Sequence, residues 1–569
     1  MSHSMKYLFI TLMCFPVFAN YQDDAFIKEL KAKVKLLKIS ALDNQKQIIA
    51  LRKKELIAQS RLIAANQKIA PSESNEEKTS KPSLSEKLPY PDRLKIKTPL
   101  GFPEIAFQSA DGKDSFRMRT FIDFASDIFG DINGLRINNG VASPPVINQN
   151  TVIRAWLNSA GVILSSQLNN DIHMVVVPNF GRNQVYLGEG TLRLDRYKML
   201  GLIVGFQVSP VAGLGQFKTS SYVTYPGFSS NLSATKETGV MLYGSLGYSE
   251  NNHFDYYNYL GFNDWFSYQV GMFNGTSDGT FPGLNPVGTG TGIIYLASEA
   301  FALNKSFEGR VFFNPFLAKK DSTFQHLGIG VGASTQRPNS QTYLPFILSI
   351  GQNPIFGYQN SNTFAVSSRS RIHPQLVWYF QRLGLFADWG QTVQNLTTEI
   401  TTARSKPNYV INQKNQASEI QMVFNLTGEA FTLDSLKPNR NFNLAERGAY
   451  GALQMVLRFS TLNIDGSTHG AYRVLPNKAV IYNISDPRVS ISKATAWGIG
   501  FNWIWNPSLI MTSEFAQTKY IGGCSSGAFL DPINPGCLTA SANYIRAPGS
   551  VMTNRPDEYV ATETVKLLF

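Results

Sequence analysis

Few residues of this chain could do covalent chemistry. Its six histidines are dispersed. His3 falls in the first twenty residues, His173 and His373 in strand-like segments, and His253, His326 and His469 near strand ends or in loops. None sits in a recognisable hydrolase motif that would pair a nucleophile with a base, so an enzyme is not expected, nor a metal or cofactor. Of the three cysteines, Cys14 lies near the start, whereas Cys524 and Cys537 flank the Gly/Pro-rich stretch IGGCSSGAFLDPINPGCL. Such a pair reads as a disulfide formed in an oxidising compartment, with two free thiols as the alternative. Closing so short a loop would stabilise by about 3 kcal/mol.

The charged residues that recur do so by alternation. Arg117, Arg119 and Asp123 are interleaved with Phe116, Met118, Thr120, Ile122 and Phe124. Arg154 and Asn158 oppose Ile153, Ala155 and Leu157, and Arg458 opposes Leu453, Met455, Leu457 and Phe459. By the same parity Arg193, Asp195, Arg371, His373, Gln375 and Asp388 fall on polar faces. A period of two belongs to strands. Charges confined to one face fit a sheet with lipid on one side and water on the other, making these residues candidates to line a water-filled lumen. A soluble sandwich shows the same alternation with its faces exchanged, so the period alone leaves both open.

Composition and girdling favour the membrane. The 569 residues are only 16% charged, 12% aromatic and include 45 Gly. No apolar run after the first twenty residues reaches the roughly 18 needed for a transmembrane helix, so a spanning structure must be a barrel. Trp497, Ile499, Phe501, Trp503 and Trp505 share one face ahead of Asn506-Pro507, and Trp378 and Phe380 occupy a similar place. Tryptophans at strand ends form interfacial belts. The last stretch, Tyr559 to Phe569, alternates again and ends on an aromatic residue. It resembles the closing strand of an outer-membrane barrel, with Tyr559 and Phe569 as the assembly signal and its seam near Phe116–Phe124. Long loops are expected at 130–150, 208–238, 274–291, 391–417, 465–490 and 522–555.

Upstream the pattern differs. Residues 1–19 read as a secretory signal peptide. From Ile27 the period becomes seven: Ile27, Leu30, Val34, Leu37, Ala41, Ile48, Leu51 and Leu62 form an apolar seam interrupted by Asn44 and Glu55. Residues 20–70 therefore predict a periplasmic coiled coil, its helix of roughly 45 residues about 65 Å long at 1.5 Å per residue. Residues 71–99, rich in Ser, Pro and charge, read as a flexible linker, and 100–569 as the barrel. Of the net charge of +12, the first 99 residues carry +8 and the barrel +4. The expected fold is all-β: a transmembrane antiparallel β-barrel of about 16 strands preceded by an α-helical coiled coil.

Several segments resemble the phosphate-selective porins of types O and P, with related trimeric porins that carry an amino-terminal coiled coil. Arg371–Trp389, RIHPQLVWYFQRLGLFADW, is similar to a hairpin of that family. Leu426-Thr427-Gly428-Glu429, Lys437 to Phe442, Gly451 to Gln454, Leu457 to Ser460 and Trp497 to Pro507 follow in the family's order. Val204-Gly205 with Pro210, and Thr238 to Leu242, are similar to earlier family segments. The resemblance implies a homotrimeric 16-stranded channel in the bacterial outer membrane, passing small solutes by passive diffusion, with an inward-folded loop narrowing the bore. One departure matters: where the family has Phe-Lys before its Pro, this chain has Gln207-Val208. No lysine-rich constriction is evident, so the expected solutes are anionic or neutral rather than phosphate alone. The expected partners are further copies of the chain, outer-membrane lipid and the outer-membrane assembly machinery, with peptidoglycan as a partner of the stalk and no nucleic acid. A mainly structural protein, tethering the membrane to the cell wall through that stalk, is the alternative.

Overall fold

A computed structural model describes residues 94–97 and 104–568, apart from 215–225, 248–261, 276–304, 399–408, 527–550 and a number of shorter connections. The expected signal peptide, the coiled-coil seam and the first part of the linker lie outside the described residues, as do Cys537 and Phe569.

The chain begins with a hairpin, β1 (Leu94–Lys97) and β2 (Glu104–Gln108). There follow β3 (Ser115–Ile132), the small pair β4 (Arg136–Asn138) and β5 (Val141–Ser143), β6 (Gln149–Leu168), β7 (Ile172–Gly181), β8 (Gln184–Tyr197) and β9 (Leu200–Val208). Next come β10 (Lys236–Leu246), β11 (Phe266–Phe273), β12 (Ser306–Phe313), β13 (His326–Gln336), and the pair β14 (Ile347–Leu348) and β15 (Pro354–Phe356). The second half contains β16 (Thr363–Phe380), β17 (Leu383–Thr398), β18 (Tyr409–Asn425), β19 (Ala452–Asn463), and the pair β20 (Tyr472–Val474) and β21 (Val480–Tyr482). It ends with β22 (Ile491–Asn506), β23 (Leu509–Ser526), β24 (Val551–Asn554) and β25 (Glu558–Leu568).

Sixteen of these strands form a closed antiparallel barrel. Each pairs with the next long strand in sequence, and β25 returns to β3. Closure removes the unpaired edges that lipid could not satisfy. The outer face carries Phe124, Leu192, Val240, Met272, Phe307, Ile420, Phe459, Trp497 and Phe515, all exposed. The alternate positions are buried and include Gln269, Arg371, Asp388, Glu419 and Arg458. Polar residues inside and large apolar ones outside is the reverse of a soluble sandwich.

Two departures from the sequence reading have physical causes. The seam sits higher on β3 than expected: β25 pairs from Leu568↔Phe121 to Tyr559↔Gly130. The lower edge of β3, Ser115–Met118, pairs with β2 instead. The last strand ends level with Phe121, and chain preceding the barrel covers the edge left bare. That places β1 within the stretch read as linker. Second, the expected loop 391–417 is largely strand. β17 and β18 continue through pairs such as Gln391↔Gln416 and Asn395↔Asn412, whose side-chain amides bond one another at 2.9 and 2.8 Å. Polar residues on both faces there conceal the alternation.

Short connections follow β6, β8, β16 and β22 at one end, the end that faces the periplasm in outer-membrane barrels. The same end carries the long connections 247–265 and 426–451.

Candidate functional site

The connection from β9 to β10 folds into the barrel. Val211, Ala212 and Phe228 are fully buried, and the helical turn Ser229–Leu232 is buried at Ser229, Ser230 and Leu232. Polar groups of the wall hold it across the lumen. The Asp388 carboxylate on β17 accepts from the Leu214 N–H at 2.9 Å, and Gln375 on β16 donates to the Ala212 carbonyl at 2.8 Å. Glu419 on β18 accepts from the Gly227 N–H at 3.0 Å and from the Ser229 hydroxyl at 3.2 Å. Ser460 on β19 accepts from the Phe228 N–H at 3.0 Å, and Thr392 donates to the Leu232 carbonyl at 2.9 Å. Glycine at 227 lets the backbone approach this closely, because a Cβ there would overlap the Glu419 carboxylate. At the loop's entry Ser209 donates to Glu308 on β12, which also accepts from Ser306.

A second connection, from β13 to β16, also turns inward. Its residues Ile347, Ile350, Ile355, Phe356 and Tyr358 pack in one apolar cluster with Phe228 and Leu232 and with the wall residues Ala494, Ala496 and Ala516. Small side chains on β22 and β23 leave the space these loops fill. Glu558 on β25 accepts from the Gly351 N–H at 3.2 Å and the Asn353 amide at 2.8 Å. Nearer the short-turn end a second cluster joins Phe312, Val377 and Phe386 of the wall to Ala212 and Leu214 of the first loop and to Phe431 and Leu433 of the 426–451 connection.

The sequence candidates distribute unevenly around this arrangement. Gln375 and Asp388 hold the first loop directly. Arg371 and His373 are buried on β16 beside Gln375, and Gly390 leaves the room His373 occupies. Arg458 is buried in an ion pair with Glu514 across the glycines of β22. Arg193 is buried on β8, and Asp195 lies 3.5 Å from His173. Arg117 and Arg119 keep partial exposure on β3, and Asp123 is the register partner of Lys566. Arg154 pairs with Asp127 in register, but its side chain is outside the described residues. Among the described residues no cluster of His, Cys, Asp and Glu could hold a metal ion.

A wall of charged strands crossed by a loop is the geometry of a diffusion channel. Residues 302–522 match the model of the phosphate-selective porin O and P family. The barrel is thus an outer-membrane porin and not an enzyme. Solved structures similar to it include the outer-membrane channel DcaP of Acinetobacter baumannii, at 10% identity and a TM-score of 0.42 over 81% of this chain and 99% of that one. The anion-selective porin of Comamonas acidovorans matches at 9% and 0.41 over 80% and 100%. The trimer form of OmpT from Vibrio cholerae matches at 9% and 0.36 over 80% and 99%. No curated protein matches the sequence.

Sequence reasoning missed the porin's loop-binding carboxylates Glu308, Glu419 and Glu558. Glu419 shares strand parity with Gln421 and Ala417, so alternation could have placed it inside. Nothing local marks it as the acceptor for a loop distant in sequence.

Proposed function

We propose that this porin is a homotrimer that passes small hydrophilic solutes, anionic or neutral, by passive diffusion. The observation that carries the reading is the fate of the wall carboxylates. Glu308, Asp388, Glu419 and Glu558 all accept hydrogen bonds from inward loops, so their charge is turned away from the remaining water path. The inward face opposite the first loop carries Arg117, Arg119, Arg193 and Lys566 against Asp123 and Asp195, while buried Glu189 on β8 is paired with Lys236 of β10 at 3.6 Å. This biases the path toward anions without a binding site, in line with the barrel's modest charge of +4. Val208, buried where the family carries lysine, supports the loss of phosphate selectivity. Planar-bilayer recording in KCl gradients tests the reading. Discrete channels with a mild anion-selective reversal potential and no block by phosphate are expected; no channels at all would overturn it.

Self-association is supported by Glu563. It is exposed on the outer face of β25, where its carboxylate accepts from Ser513 at 2.7 Å and its register partners are Ser126 and Ser513. Small polar neighbours around a carboxyl at mid-height suit protein contact better than lipid. Glu563→Leu is expected to shift the folded oligomer toward monomer on unheated detergent gels. The heptad seam of residues 20–70 supports a periplasmic stalk joining the same copies, with peptidoglycan as its partner. Pull-down of cell wall by the full chain, lost on deleting 20–70, tests that role.

A further inference from the structure

The 426–451 connection leaves the barrel at the periplasmic end and folds in two directions. Phe431 and Leu433 turn inward into the apolar cluster, whereas the arm 437–450 turns outward. The Phe442 ring lies 4.3 Å from that of Trp505 and 5.2 Å from that of Trp503, both on the lipid-facing side of β22. The backbone follows the rings: the Phe442 N–H donates to the Trp505 carbonyl at 2.6 Å, and the Trp503 indole donates to the Tyr450 carbonyl at 2.8 Å. The arm is therefore clipped onto the aromatic belt, at the depth where headgroups meet acyl chains.

Its exposed side chains suit that depth. Lys437, Arg440 and Arg447 are exposed, and Glu446, 3.9 Å from Arg440, is the one exposed acid between Lys437 and Tyr450. Leu444 at the tip is 84% exposed and Tyr450 58%. Arg382, in the β16–β17 turn, lies against Gly428 of the same connection. The arm is held in shape beforehand. Buried Glu429 accepts from the Thr427 hydroxyl and from the Asn439 N–H at 3.1 Å. Asn443 closes the tip, its side chain accepting from the Ala445 N–H at 3.0 Å and its N–H donating to the Ala449 carbonyl at 2.8 Å. Such rigidity is not needed to keep a loop soluble; it does present cations and an apolar tip in fixed relation.

We propose that this arm is a collar that binds the headgroups of anionic phospholipids in the periplasmic leaflet. Arg440, Arg447 and Lys437 meet the phosphate groups, and Leu444 enters the acyl region beside Trp503 and Trp505. Arginine is suited to phosphate by its planar array of donors. The proposal depends on the barrel's membrane placement and not on its solute.

The test uses the full-length porin in phosphatidylcholine vesicles containing a minor fraction of brominated lipid, reading tryptophan quenching. Brominated phosphatidylglycerol is expected to quench more than brominated phosphatidylcholine at equal mole fraction, each basic residue near the anionic surface adding up to about fivefold in preference. The excess should disappear in Trp503→Phe/Trp505→Phe, which locates it, and in Lys437→Gln/Arg440→Gln/Arg447→Gln. High salt should weaken it in the unaltered protein. Equal quenching by both lipids, or an undiminished preference in the triple variant, overturns the proposal. Loss of the preference on adding inorganic phosphate at constant ionic strength also overturns it, because the site would then take free phosphate rather than lipid. Retained conductance shows that the triple variant folds; if it does not, Arg440→Gln and Arg447→Gln singly carry the same readout.

Discussion

Asn231 and Leu348 hold each other twice, the Asn231 amide donating to the Leu348 carbonyl and accepting from the Leu348 N–H, each at 3.1 Å. This one side chain joins the two inward loops, whose described residues also share the apolar cluster around Phe228 and Phe356. Asn231→Ala removes both bonds, at about 1 kcal/mol each, and leaves the barrel wall untouched. Single-channel recording should show greater open-state current noise with little change in heat stability. Unchanged noise would mean that the apolar cluster alone fixes the loops.

Glu419 is the stronger anchor because it serves two donors of the first loop. Glu419→Ala leaves the buried Gly227 N–H unsatisfied, a cost of about 1–3 kcal/mol. Conductance should rise as the loop detaches from β18, and hydrogen exchange should accelerate at 227–230. A conductance equal to that of the unaltered protein would show that the loop does not limit flow.

Arg458 on β19 and Glu514 on β23 form a buried ion pair in the barrel wall. Arg458→Ala strands the Glu514 carboxylate and should destabilise by about 3–5 kcal/mol, whereas exchanging both for apolar residues of similar volume should cost far less. The temperature at which the folded band is lost on detergent gels reads both. Equal losses in the two variants would place the effect in packing.

His469 lies in the extracellular connection 464–490, with its ring 6.1 Å from that of Phe356. Burial pushes its imidazole below the ordinary 6.5, against the opposing pulls of the Ile491 and Ser485 carbonyls and Asp486. The folded loop therefore favours the neutral ring. Its contribution is complete above pH 6.5 and is lost as the pH falls below that toward the lowered folded value. Hydrogen exchange around 464–470 should accelerate on acidification across that window, and His469→Gln should abolish the dependence.

The sequence by itself determined the barrel. An alternation of two is written residue by residue, so Phe116–Phe124, Leu453–Phe459 and Trp497–Trp505 separated an apolar from a polar face before any strand was paired, and the tryptophan girdle and low charge turned the apolar face toward lipid. The length of chain set the strand number, and the terminal alternation marked the closing strand. What fills the barrel was decided only by tertiary structure. The bonds from Leu214 to Asp388, Gly227 to Glu419 and Phe228 to Ser460 join residues 174, 192 and 232 positions apart, and such contacts have no period. A buried glutamate that anchors a loop and one that faces water look alike along a strand. The seam at Phe121 and the outward fold of 437–450 depend likewise on where another segment ends, and local residue patterns do not encode that.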